Sequence, residues 1–305
     1  MYDCALFDID GVLVDIRKSY NAAIKKTVEF MLKHTTGRAL RGLVSDGIIL
    51  KFRQSGGFNN DTDTTYAITL AMLVHPQKKV SEARRFLVEV AENADESGIA
   101  SVEKFLSGSG IEKWKRILGY PAPIKDNTLA RVFDEFFYGP ELFRQQDHLE
   151  PRYWSGRPFI DNDRLVVSMK TIKLLHKMFA GNLAVVSGRS RIAAEYSLGS
   201  AIKYFDLDAC VFLEDEKREY AKPNPYAIKV ATQEMNARTA VYAGDSAEDL
   251  LMARRAEKEL GVKIAFVGIY GYSPQPSRTL AKFRQEGVEA TAKSVNRLPK
   301  LIGRL

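Results

Sequence analysis

The sequence predicts an α/β protein in which a parallel sheet, covered by helices on both faces, is interrupted by an all-α insertion. Three observations predict it. Short apolar runs of strand length recur at 3–8, 183–187, 209–213, 240–243 and 264–268. Helix-period segments separate them, as where Met169, Ile172, Leu175 and Met178 precede Leu183. Between about residues 16 and 165 the texture is helical almost throughout. Short buried strands alternating with amphipathic helices are the pattern of a doubly covered parallel sheet.

In chain order, residues 1–15 hold the first strand and its loop. Residues 16–165 form the helical insertion, and 166–305 complete the α/β unit. Inside the insertion, Tyr20, Ile24, Thr27, Met31 and Leu32 trace one apolar stripe, and Leu40, Leu43, Val44 and Ile48 another. Asp61 or Thr62 is expected to cap a helix that runs to Val74 and stops at Pro76, and Ser81 to cap the next. Asn127 is expected to open a helix carrying Leu129, Val132, Phe133, Phe136 and Phe137. A weaker strand is expected near 289–291, followed by a short terminal helix.

Composition narrows the function classes. The chain has 305 residues, of which 45% are hydrophobic and 27% charged, enough for a substantial core. Its longest apolar runs are far shorter than a bilayer span, and its first residues lack the basic start of a signal peptide. The two cysteines, Cys4 and Cys210, lie in apolar runs and read as buried side chains of a cytoplasmic protein. His34, His75, His148 and His176 are scattered, so no zinc site is expected. The formal net charge of +7 suits anionic ligands. The segment 278–305 carries seven cations against Glu286 and Glu289, but they stand singly among apolar residues, with Phe283 as the one stacking ring. A solvated basic face is favoured there over a nucleic-acid site.

Four short motifs carry the chemistry. The first strand ends in Asp8-Ile9-Asp10-Gly11, two carboxylates at the edge where open α/β sheets place their ligands. Such oxygens hold a hard cation, and a carboxylate can attack phosphorus. Alone, the motif equally fits a calcium loop or a polar turn. Ser187-Gly188-Arg189-Ser190 follows the second long strand, where a hydroxyl and free N–H groups at a helix start make an anion site; a plain helix cap is the rival. Lys222-Pro223-Asn224-Pro225 aims an ammonium from a rigid turn, or is a surface lysine. Gly244-Asp245-Ser246-Ala247-Glu248-Asp249 sets two more carboxylates at a strand-to-helix junction, with helix capping as the rival.

Together, in this order, the four motifs resemble those of the haloacid dehalogenase superfamily, through residues 3–15 and 166–302. The resemblance implies a three-layer Rossmann-like core and an inserted helical cap of the C1 type. It implies Asp8 as nucleophile, Asp10 as general acid and base, and Ser187 and Lys222 as holders of the transferring phosphoryl. It implies Mg²⁺ held by Asp8, the Asp10 carbonyl, Asp245 and, directly or through water, Asp249. The expected activity is phosphatase action on a small phosphorylated metabolite through an aspartyl-phosphate. Asp10 argues against a dehalogenase or a phosphonatase. A phosphomutase on the same core, or a non-catalytic binding module, stays as an alternative.

Gly188 and Arg189 are candidate substrate contacts, as are Asn59 and Asn60 in the Gly56-Gly57-Phe58-Asn59-Asn60-Asp61 segment of the insertion. A surface turn leading into the next helix accounts for that segment as well. Arg17, Lys18 and Arg53 are further candidate anion contacts, and all four cations, Arg189 included, are also readable as surface or bridging charges.

Overall fold

The computed structural model describes residues 2–58, 60–108 and 110–303. It divides into two compact units, one formed by the chain up to Arg17 and from Asp163 onward, the other by Lys18–Asn162.

The first unit is the α/β core. Its strands are β1 (Cys4–Phe7), β2 (Val14–Asp15), β3 (Arg164–Leu165), β4 (Leu183–Ser187), β5 (Val211–Phe212), β6 (Thr239–Gly244), β7 (Lys263–Ile269) and β8 (Ala290–Ala292). Six of them form one parallel sheet in the order β5-β4-β1-β6-β7-β8. The chain works outward from β1 to β4 and β5, then returns beside β1 at β6 and works outward the other way. Neighbouring β1 and β6 therefore flank the topological switch point, where the following loops diverge and leave a crevice.

Alternation along β1 explains the sheet's double burial. Ala5 and Phe7 join one cluster with Val185, Val241, Ile172 and Leu175, while Cys4 and Leu6 join another with Val186, Tyr242, Ile228 and Met252. Each fully buried side chain of this size contributes about 1.5–3 kcal/mol. Helices α8 (Met169–Met178), α9 (Arg191–Leu198), α10 (Tyr226–Glu234), α11 (Ala247–Leu260), α12 (Pro276–Gln285) and α13 (Leu298–Ile302) belong to this unit. The β2–β3 pair is a separate antiparallel ribbon, matching Val14 with Leu165 and Asp15 with Arg164. It ties together the two points where the chain leaves and rejoins the core, and Asp15 bridges Arg17 (2.7 Å) and Arg164 (3.1 Å) there.

The second unit is helical: α1 (Tyr20–Thr36), α2 (Asp46–Gln54), α3 (Asp61–Val74), α4 (Val80–Glu92), α5 (Ile99–Phe105), α6 (Ile111–Leu118) and α7 (Thr128–Asp147). Helix α3 is buried along nearly its whole length and packs against α1, α4, α5, α6 and α7. Two caps differ from expectation. Asn60, not Asp61 or Thr62, caps α3, accepting from the N–H groups of Thr62 and Asp63. The α4 helix starts at Val80 after Lys79 with no side-chain cap, so Ser81 lies inside the first turn. Asn127 does cap α7, accepting from Ala130 N–H at 2.9 Å. That helix breaks at Gly139, whose φ of 67° lies in the left-handed region and where Pro140 follows.

Deep in this unit Glu135 is fully buried. Its carboxylate accepts from Arg131 (3.0 Å) and from the N–H groups of Arg152, Tyr153 and Trp154, closing the return segment onto α7. Among the described residues no helix is long and apolar enough to cross a membrane.

Candidate active site

Asp8 is the first residue past β1, and its N–H donates to the Ala243 carbonyl of β6 at 3.0 Å. The switch point thus receives its carboxylate. The chain then folds back at once: the Ile9 carbonyl accepts from the N–H groups of Val12, Leu13 and Val14. Gly11 makes this turn at φ 74°, and a Cβ there would stand 2.0 Å from Asp245 Oδ2. Glycine serves both the left-handed backbone and the space into which Asp245 projects.

Asp8, Asp245 and Asp249 each offer a carboxylate oxygen within 4.8 Å of the other two. Lys222 reaches into the group, 2.9 Å from Asp8 Oδ1 and 2.7 Å from Asp249 Oδ1. Three acids face one ammonium, and the imbalance shows in their protonation. Burial, reinforced by Asp249 and Asp10 against the opposing pull of Lys222, pushes Asp8 up to about 7. Burial together with Asp249 and Asp8 pushes Asp245 well above the ordinary carboxylate range. Burial alone would lower Lys222, but Asp249 and Asp8 outweigh it and hold the ammonium charged. Asp249 goes the other way: burial opposes ionisation, yet Lys222, Tyr242 and Ser246 keep its carboxylate low. A hard divalent cation would offset this surplus of negative charge, and the donor set, all oxygen, fits one.

The two oxygens of Asp249 are already occupied. Oδ1 accepts from Lys222 and from the Tyr242 hydroxyl at 2.6 Å; Oδ2 accepts from the N–H groups of Asp245 and Ser246 and from Ser246 Oγ. Ser246 caps α11 in a reciprocal capping box with Asp249. The capping reading of this motif and its place beside Asp8 are therefore compatible. A carboxylate has about four acceptor positions, so five donors leave Asp249 little capacity for a direct cation bond. Asp8 and Asp245 have fewer such donors and could hold a metal ion directly.

Ser187 ends β4, the strand next to β1, and is buried, whereas Gly188 beside it is exposed. The anion-site reading of the following helix start changes here. Ser190 Oγ caps α9 by accepting from Ala193 N–H, while Glu214 accepts from Ser190 N–H (2.9 Å) and Asp215 from Arg191 N–H (2.7 Å). The protein's own carboxylates accept from the N–H groups of Ser190 and Arg191 at the α9 N-terminus.

Of the readings open to Arg189, the structure shows the bridging one, from a buried position. Its side chain is 1% exposed, with Nε donating to Asp10 Oδ1 at 2.5 Å and Nη1 to Asp163 Oδ2 at 2.7 Å. Two carboxylates share it inside the core.

The Gly56–Asp61 segment does helix work. Phe58 is buried edge-to-face on Phe52, a Cβ at Gly57 would lie 2.3 Å from the Asp95 carbonyl, Asn60 caps α3 and Asp61 pairs with Arg53 at 2.6 Å. This is the turn that leads into a helix; Asn59 lies outside the described residues. Arg17 is held by Asp15 through two guanidinium bonds and one from its backbone N–H. Lys18 opens the helical unit from an exposed position. Cys4 and Cys210 are free thiols, pushed by burial up to about 12 and about 11. Phe283 is buried against Leu250 and Val288 and presents no ring for stacking.

Two participants carried no sequence signal. Tyr242 sits in an apolar strand run, where its ring reads as core and its hydroxyl is invisible. Asp163 belongs to none of the four motifs, lies 153 residues beyond Asp10 in the chain, and only folding brings it to the same guanidinium.

The model of haloacid dehalogenase-like hydrolases matches residues 2–257. A structural-genomics target has a similar fold at 15% identity and TM-score 0.71, over 99% of this chain and 98% of that one. The phosphatase Tt82 from Thermococcus thioreducens is similar at 23% identity and TM-score 0.60, over 93% and 99% of the two chains. A predicted phosphoglycolate phosphatase from Haemophilus somnus follows at 13% and 0.54, over 99% and 98%. No curated protein matches the chain. At these identities the structures speak for the fold, while the family match spans most of the sequence and every motif of the site: the chain belongs to the haloacid dehalogenase-like hydrolases.

Proposed function

We propose that this protein is a Mg²⁺-dependent phosphatase that hydrolyses a small phosphorylated metabolite through an aspartyl-phosphate on Asp8. The observation that carries the reading is the pairing of Asp8 with Lys222 inside a cluster that also holds Asp245 and Asp249, on the ligand edge of the sheet. Asp8 and Asp245 would hold the cation, with the Asp10 carbonyl as the third protein donor that the family resemblance suggests. Bound Mg²⁺ would supply charge neutralisation between the carboxylates and an anionic substrate.

The protein's own groups then account for the steps. Lys222 and Ser187 hold the phosphoryl oxygens, and Lys222 also fixes the Asp8 carboxylate for attack in line with the leaving oxygen. An Asp8 oxygen bonds to phosphorus as the ester P–O bond breaks, and the proton on Asp10 passes to the leaving oxygen. Asp10, now a carboxylate, takes a proton from water. The resulting hydroxide bonds to phosphorus, the bond to Asp8 breaks, and inorganic phosphate leaves with Asp8 and protonated Asp10 restored. Asp249 acts through others: it holds Lys222 at 2.7 Å and the start of α11 through Ser246. In the same reading the helical unit serves as a cap that excludes water and selects the substrate.

The test is a panel of phosphorylated metabolites assayed for released inorganic phosphate, with and without Mg²⁺. Phosphate released from at least one small phosphoester, and lost on chelation, is the expected result. No Mg²⁺-dependent release from any member would overturn the reading. The name of Tt82 as a phosphatase supports this choice within the family.

A further inference from the structure

We propose that Arg189, held from behind by Asp163 and Ser197, is a positioning residue that fixes the side chain of Asp10 for proton transfer to the leaving oxygen. The inference rests on Asp10 being the acid and base described above.

The geometry is specific. Arg189 Nε donates to Asp10 Oδ1 at 2.5 Å, while Nη1 donates to Asp163 Oδ2 and to Ser197 Oγ, both at 2.7 Å. Ser197 closes the ring by donating to the same Asp163 oxygen at 2.7 Å. The side chains of Arg189 and Asp163 are 1% and 3% exposed, so neither can swing away without leaving a buried charge behind. Asp10 is different. Its side chain keeps 31% exposure, so the carboxyl is held by Arg189 and not enclosed.

A free aspartate on the turn after β1 would sample several rotamers. A planar guanidinium with its far edge locked leaves Nε only one direction in which to donate, and it therefore selects one placement of Asp10. Asp163 has a further part in this. It is the first residue of the core after the chain rejoins it, next to β3, and through Arg189 it connects that point to the acid-base loop and to Ser197 on α9. Misplacement by about 1 Å can cost on the order of a hundredfold in rate, which is the scale on which such a clamp would act.

The test compares two esters that differ in the basicity of the leaving oxygen. p-Nitrophenyl phosphate departs with little need of a proton, whereas phenyl phosphate depends on one. The quantity read is kcat/KM, which covers the steps up to release of the phenol. Arg189→Gln and Asp163→Asn are expected to lower kcat/KM for phenyl phosphate by at least roughly ten times more than for p-nitrophenyl phosphate. Arg189→Lys should recover part of the difference. Asp163→Asn keeps the shape of its side chain, so it tests the clamp even where Arg189→Gln fails to fold. Equal losses on both esters, or no loss on either, would overturn the positioning role. Asp10→Asn measured alongside separates the two ideas. If Asp10→Asn shows strong leaving-group sensitivity and the other variants do not, only the clamp fails. If Asp10→Asn shows none, the acid-base reading fails and the clamp with it.

Discussion

Two of the buried ionic clusters, one from each unit, make opposite use of the same chemistry. In the helical unit, Glu135 meets Arg131 and three backbone N–H groups, one negative charge against one positive, with its acceptor positions filled. In the core, Asp8, Asp245 and Asp249 crowd around Lys222, and burial together with the neighbouring carboxylates pushes Asp8 and Asp245 upward. A balanced buried cluster can serve structure by itself. An unbalanced one is held in place by the rest of the fold and lowers its free energy when a cation and an anionic substrate arrive. The contrast marks which of two buried carboxylate sites is prepared to bind something.

That contrast can be broken experimentally, beginning where the effect is greatest. Asp8→Asn should lower turnover by about 10⁴-fold or more while leaving the thermal melt cooperative, since it removes the attacking oxygen and relieves charge crowding. Retained activity in a phosphate-release assay would exclude Asp8 as nucleophile. Glu135→Ala should cost about 3–5 kcal/mol in a denaturant melt, because it breaks the buried pair with Arg131 and leaves three backbone N–H groups without their acceptor. A loss below about 1 kcal/mol would show that the balanced cluster is not a structural anchor.

Asp245→Asn should weaken Mg²⁺ binding at least roughly tenfold by calorimetry, and an unchanged isotherm would remove Asp245 from the metal site. The pH dependence sharpens the same point. Asp8 has a folded value of about 7 against an ordinary 3.8, so between these the folded state binds the extra proton. Its contribution to stability therefore falls as pH rises from about 4 to about 7 in metal-free protein. Mg²⁺ competes with that proton, so the rise in Tm on adding Mg²⁺ should be larger at pH 8 than at pH 6; an equal rise would separate cation binding from Asp8. The smallest effect expected is for Asn60→Ala, about 1 kcal/mol for a lost helix cap, with Mg²⁺ affinity unchanged.

Local pattern carried most of the core. The continuous apolar runs of β1 and β4 and the Gly that must turn after Asp10 are visible in the chain because their causes are local. The Gly56–Asp61 segment fits a ligand loop or a turn into the next helix from its residue types, and the fold uses Phe58, Asn60 and Asp61 in packing, capping and pairing.

By itself the sequence determined the strand-loop chemistry: which carboxylates, hydroxyl and ammonium end the strands, in what order, and hence the family. Only the tertiary structure decided how those groups are shared. Asp249 gives its oxygens to Lys222, Tyr242 and a helix start, Glu214 and Asp215 take the N–H groups that an anion would otherwise meet, and Arg189 turns inward between Asp10 and Asp163. The reason is physical. Strand and turn preferences act over a few neighbouring residues, whereas a buried charge is settled by whatever partners the completed fold brings within hydrogen-bonding distance, however far apart they lie in the chain.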